Sequence, residues 1–108
     1  MSDDENQIHV PESFLALFTR PGGYRLTEPM AVVRERYELC EDLANMLVEQ
    51  ASARLNDRGA SEREVLAGMR GALSVEGSPV TATEAHWVGC RLAELLGWEM
   101  PEPPAAQD

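Results

Sequence analysis

The chain has 108 residues, 44% of them apolar, which is enough for one modest core and makes one domain the ceiling. Nineteen acidic residues against nine basic ones give a formal net charge of −10, which argues against nucleic acid and anionic membrane surfaces as partners, because both select basic patches. All nine basic residues are Arg, so a P-loop lysine, a Schiff-base lysine and a lysine general base are excluded.

Residues 1–10 read as a disordered or extended acidic N-terminus. Met1-Ser2-Asp3-Asp4-Glu5-Asn6 is the opposite of a signal peptide's basic start and apolar run. No apolar segment approaches the roughly 20 residues that span a bilayer. The expectation is a cytoplasmic protein in which Cys40 and Cys90 are reduced thiols. Ile8-His9-Val10 alternates too briefly to define a strand.

A single helical domain is expected over 11–98. Pro11-Glu12-Ser13 opens a short helix of two turns whose Phe14 and Phe18 serve as a plug on the core. Arg20-Pro21-Gly22-Gly23-Tyr24 is a turn, in which Pro presets one dihedral and the paired glycines allow positive φ. The dominant pattern then runs from Glu28 to Arg58, with Thr27 as cap, Pro29 in the first turn and Gly59 as the stop.

Along that helix Val33, Tyr37, Cys40, Leu43, Ala44, Leu47, Val48, Ala51 and Leu55 share one face. Val32, Leu39 and Met46 widen the face to about half the cylinder. At about 1.5 Å per residue the helix would be about 45 Å long, more than a domain of this size spans. A break, a protruding end, or a second copy covering that end would each resolve the excess. The last is the preferred reading, a homodimer with Val32, Leu39 and Met46 in its interface.

Ser61-Glu62-Arg63-Glu64 has the form of a capping box and opens a helix with Val65, Leu66, Met69, Ala72 and Leu73 on one face. Gly68 and Gly71 weaken it by about 1 kcal/mol each relative to Ala, and are read as allowing close helix approach. Thr81-Ala82-Thr83-Glu84 repeats the capping box and opens the last helix, which Gly97 closes. Its stripe is Ala85, Val88, Gly89, Leu92, Leu95 and Leu96, with Ala85, Gly89 and Ala93 forming a small-residue ridge. Trp98 is expected to fold back as an apolar latch. Residues 99–108 form a Pro-rich acidic tail, expected to be disordered.

The candidate chemistry is sparse. His86 and Cys90 are four apart, on one helical face, and could reach a common metal with Cys40 or an acidic residue as third ligand. The competing reading is that both pack at the margin of the core. Cys90 with His86 as base would be the one nucleophilic pair, and no Gly-rich strand-to-helix turn offers an oxyanion hole. Glu35, Glu38, Glu41, Asp42 and Glu49 crowd one side of the long helix. They read as a solvated face or as a surface for a basic partner, since the Glu-x-x-His of carboxylate-bridged metal bundles does not occur. Trp87 points away from the Val88/Leu92/Leu95 stripe by helical angle, near Arg91 and Glu94. Trp and Arg are favoured at interface hot spots, so Trp87 and Arg91 are the expected partner contact, with burial inside the monomer as the alternative.

Two stretches, Arg36-Tyr37-Glu38-Leu39-Cys40-Glu41-Asp42-Leu43-Ala44 and Glu84-Ala85-His86-Trp87-Val88 through Arg91-Leu92-Ala93-Glu94-Leu95-Leu96-Gly97-Trp98, carry a resemblance. With the acidic start and the Pro-Glu-Ser-Phe segment, they resemble a small uncharacterised proteobacterial family of about this length. Its members are sometimes labelled ATPases with chaperone activity. The resemblance implies no established activity, and this sequence gives the ATPase label no support, having neither GxxxxGK[ST] nor any Lys.

The expected fold is therefore all-α, a small bundle built on one long helix with a short N-terminal helix as lid. The expected function is a non-enzymatic cytoplasmic interaction or adaptor protein, without cofactor, that binds an unknown protein partner and forms a homodimer. Its rival is a small metal- or thiol-dependent protein using His86, Cys90 and Cys40.

Overall fold

The computed structural model describes residues 9–20, 22–23 and 25–101; the acidic N-terminal segment through residue 8 and most of the Pro-rich tail lie outside them. Among the described residues the fold is all-α. The helices are α1 (Glu12–Leu15), continued by a 3-10 turn (Ala16–Phe18), then α2 (Met30–Arg58), α3 (Glu62–Leu73) and α4 (Ala82–Leu96). Within the span expected as one domain, the chain groups into two compact units, Met1–Leu39 and Cys40–Asp108.

In the first unit, the Pro11 carbonyl accepts from the N–H groups of Phe14 and Leu15, both at 3.0 Å, and starts α1. The two-turn helix read from the sequence is one α-turn that tightens into 3-10 geometry, the usual way a short helix satisfies its last carbonyls. Phe14 and Val33 are fully buried, and Val10 is nearly so. Its ring centroid lies 5.6 Å from Phe18 and 5.6 Å from Tyr37, the latter edge-on at 67°. Such pairs add about 0.5–1.5 kcal/mol to area burial, so the aromatic plug is borne out.

The loop that follows is tied back on itself. Thr27 N–H donates to the Phe18 carbonyl at 2.6 Å, Arg20 N–H to that of Arg25 at 3.5 Å, and Gly22 supplies φ 76° at the tip. This pairing draws Thr27 away from the role of helix cap. Helix α2 instead starts at Met30, with the Pro29 carbonyl accepting from Val32 and Val33 at 2.9 and 3.1 Å. Pro29 therefore sits one position before the first turn, where it needs no N–H.

In the second unit, sequence and structure agree closely at the helix ends. Ser61 Oγ accepts from Glu64 N–H while Glu64 Oε1 accepts from Ser61 N–H, each at 3.0 Å; Thr81 and Glu84 repeat the exchange at 3.0 Å. Gly59 has φ 67° and Gly97 φ 74°, as a left-handed stop requires. At Gly97 both bonds of a Schellman motif form: Trp98 N–H to Ala93 O at 2.9 Å and Gly97 N–H to Glu94 O at 3.2 Å. That motif turns Trp98 back onto a core of Ala51, Val65, Leu66, Met69, Leu92 and Ala93, with Leu47, Val48, Leu55, Ala60 and Leu96 at its margin. The latch expected of Trp98 is present.

Two expectations are corrected here. The C-terminal turns of α2 are not bare: Ala51 is fully buried and Leu55 packs on the core formed with α3 and α4. Gly68 and Gly71 are exposed, and an added methyl at either would meet no neighbouring atom within 4 Å. They do not mediate close approach. Gly89 is buried between fully buried Ala85 and Ala93, yet a methyl there also meets nothing within 4 Å.

Candidate functional site

The chemistry-bearing side chains of the second unit gather on α4, the most enclosed helix. Glu84, Ala85, Trp87, Val88, Gly89, Leu92 and Ala93 are all buried on it. On the longer α2, Val33, Cys40, Ala44 and Ala51 reach full burial. The reading of Trp87 as an exposed contact point is therefore corrected, because its residue exposure is 7%. Helical angle alone set it outside the apolar stripe, but this helix is enclosed beyond the stripe.

Arg91, the other expected contact residue, is engaged within the chain. Its Nε donates to Glu41 Oε1 at 2.9 Å and its Nη2 to Glu41 Oε2 at 3.0 Å, a two-pronged pairing, while Nη1 donates to Glu94 at 3.0 Å. Asn45 Nδ2 adds a third contact to Glu41, on Oε2 at 3.3 Å. The Arg91 hydrogen bonds hold the Glu41 carboxyl below its ordinary range, against the opposing effect of burial. The same hydrogen bonds raise the Arg91 pKa. Glu41 was legible in the sequence as one of five acids on a solvated face; its role as the anchor of Arg91 was not.

His86 and Cys90 do meet. The Nε2 of His86 lies 3.6 Å from Cys90 Sγ. On the other edge of the ring, Arg70 Nη1 from α3 lies 3.2 Å from Nδ1. A guanidinium can only donate, so Nδ1 is the acceptor and the ring proton of neutral His86 sits on Nε2, directed at the sulfur. This protonation pattern is the reverse of a nucleophilic pair, in which Nε2 would need a free lone pair to take the thiol proton. Burial pushes the Cys90 thiol up, Glu94 adds to that rise and Arg70 opposes it. Burial and then the Arg70 charge push His86 down. Both groups are neutral at pH 7.

For a metal, the same geometry is unfavourable. The ligand atom Nε2 carries the proton, and its opposite edge faces a cation instead of the carboxylate or carbonyl that supports a metal-bound imidazole. Cys40 is fully buried and Cys90 half-buried, and neither is in a disulfide. Among the described residues no three His, Cys, Asp or Glu side chains gather into a metal-binding group. Cys40 accordingly does not complete a set with His86 and Cys90.

The surface residues named for a dimer divide. Val32 and Leu39 are half-buried, whereas Met46 is 62% exposed. Around Met46 on the same helix, Asp42, Asn45, Glu49 and Gln50 are all exposed. A cavity of about 40 Å³ is lined by Glu62, Arg63, Leu66, Glu99, Met100 and Pro101. A wide open depression lies over Glu12, Leu15, Ala16, Thr19 and Arg20 of the first unit. Among the described residues no helix is long and apolar enough to cross a membrane. No protein-family model, curated protein or solved structure matches the chain.

Proposed function

We propose that this protein is a non-enzymatic interaction protein that offers the solvent face of α2 to a basic protein partner. The observation that carries the reading is Met46: a large apolar side chain, 62% exposed, in the middle of a 29-residue helix and ringed by Asp42 and Glu49. Burying such a side chain against a partner contributes about 1.5–3 kcal/mol. The thioether adapts to irregular surfaces. Carboxylates around the apolar centre, on a chain of net charge −10, favour a cationic partner and speed its approach.

Self-association through Val32, Leu39 and Met46 is the competing assembly. It would bring the acids flanking Met46 against a second copy carrying the same charge, which like-charge repulsion opposes.

Photo-crosslinking from position 46 tests this. With Met46→p-benzoylphenylalanine, irradiated cells should give a crosslink to a basic protein, weakened at high salt and absent from the same substitution at exposed Asn56. Crosslinks to a second copy, together with light scattering at twice the 11.9 kDa chain mass, would favour the homodimer instead. Equal crosslinking from positions 46 and 56 would remove the reading.

A further inference from the structure

The half-buried contact between α3 and α4 has a property independent of any partner. His86 is wedged between two groups with opposite demands: Arg70 Nη1 at 3.2 Å on Nδ1, and Cys90 Sγ at 3.6 Å on Nε2. The bond to Arg70 joins residues 16 apart on separate helices and is partly buried. It exists only while Nδ1 has a lone pair.

We propose that Arg70 and His86 form an acid-released fastener between α3 and α4. When His86 takes a proton, Nδ1 becomes a donor facing a guanidinium that has no acceptor to offer. Two positive charges then stand at hydrogen-bond distance, and Arg70 must leave. The proton comes from solvent, and no other bond changes. From α3 the charged group facing the ring is Arg70; on α4 itself the neutral Cys90 thiol faces Nε2. Glu94, one turn further on, bonds to Arg91. Among the described residues the charge that acts on the ring is that of Arg70, which, after burial, drives its titration downward.

The consequence is local. Arg70 lies near the C-terminal end of α3, beyond the buried Val65, Leu66 and Met69. Losing the fastener loosens that end of α3 while the core beneath it remains packed. Helix α3 is suited to this, because its exposed Gly68 and Gly71 already lower its intrinsic helicity.

The test is nuclear magnetic resonance on the intact chain. The ¹⁵N shifts of His86 at neutral pH should report the Nε2–H form. Its titration midpoint should lie below the ordinary 6.5 and move upward in Arg70→Gln. Amide exchange along the C-terminal half of α3, corrected for intrinsic pH dependence, should accelerate severalfold as pH falls through the His86 midpoint. That acceleration should vanish in Arg70→Gln, in which no cation faces the ring and the neutral amide can donate to Nδ1 or accept from it at either protonation state. An Nδ1–H form at neutral pH, an unchanged midpoint in Arg70→Gln, or equal acceleration in both proteins would each overturn the proposal. Should Arg70→Gln fold poorly, the tautomer and midpoint of the unaltered chain still decide it.

Discussion

Arg91 grips Glu41 with two parallel bonds, Nε to Oε1 at 2.9 Å and Nη2 to Oε2 at 3.0 Å, across 50 residues of sequence. The fork geometry of the guanidinium matches a carboxylate face, which sets this pair apart from ordinary surface ion pairs. Glu94 holds the third nitrogen, so Arg91 is committed to tying α2 to α4 within the second unit.

Arg91→Met should therefore lower stability by about 1 kcal/mol at pH 7, a figure kept small because the pair remains partly solvated. The effect should depend on pH in a defined direction. Glu41 titrates below its ordinary 4.5 in the folded chain. The pair's contribution is thus present above that value and is lost as pH falls through the lower folded value. Urea unfolding of both proteins from pH 7 to pH 3 should show their difference shrinking toward zero; a constant difference would mean that packing of the Arg stem, and not charge, is responsible.

Gly68→Ala and Gly71→Ala should each stabilise the chain by about 1 kcal/mol, since both sites are exposed, helical and unobstructed. In a domain of this size that gain appears as a rise of about 4–8 °C in the thermal midpoint. Gly89→Ala should gain a similar amount, because the methyl enters buried space with no atom of another element within 4 Å. A loss at position 89 would mean that the small-residue ridge is under tighter contact than the geometry indicates.

The two capping boxes allow an internal comparison. Thr81→Ala and Ser61→Ala each remove one side-chain acceptor from a helix start, worth about 1 kcal/mol. The Thr81 box is partly buried and that of Ser61 is exposed. An unpaired N–H costs more where water cannot replace the lost partner, so Thr81→Ala should be the more damaging in denaturant titrations. The reverse order would exclude burial as the deciding factor.

Core and surface should separate sharply. Leu92 is fully buried in the cluster of Ala51, Val65, Leu66, Met69 and Ala93, so Leu92→Ala should cost about 2–5 kcal/mol. Met46→Ala should change stability by less than about 0.5 kcal/mol, despite removing a larger share of exposed apolar surface than most substitutions could. A large loss at Met46 would show that the side chain is already covered in solution.

Local chemistry was readable from the residues themselves. The capping boxes at Ser61 and Thr81, the glycine stops at 59 and 97, the continuous helix ending at Arg58 and the fold-back of Trp98 all depend on a few consecutive side chains and backbone groups. What only the tertiary structure decided was which faces are covered and which distant groups meet. Helical angle put Trp87 outside the apolar stripe, but the burial of α4 extends past that stripe and takes in the indole. Gly68 looked like a packing device and is exposed. Glu41 looked like one solvated acid among five, and Arg70 stood out in no pattern at all. Their partners lie 50 and 16 residues away, and such pairings follow from how helices are stacked, which no local periodicity encodes.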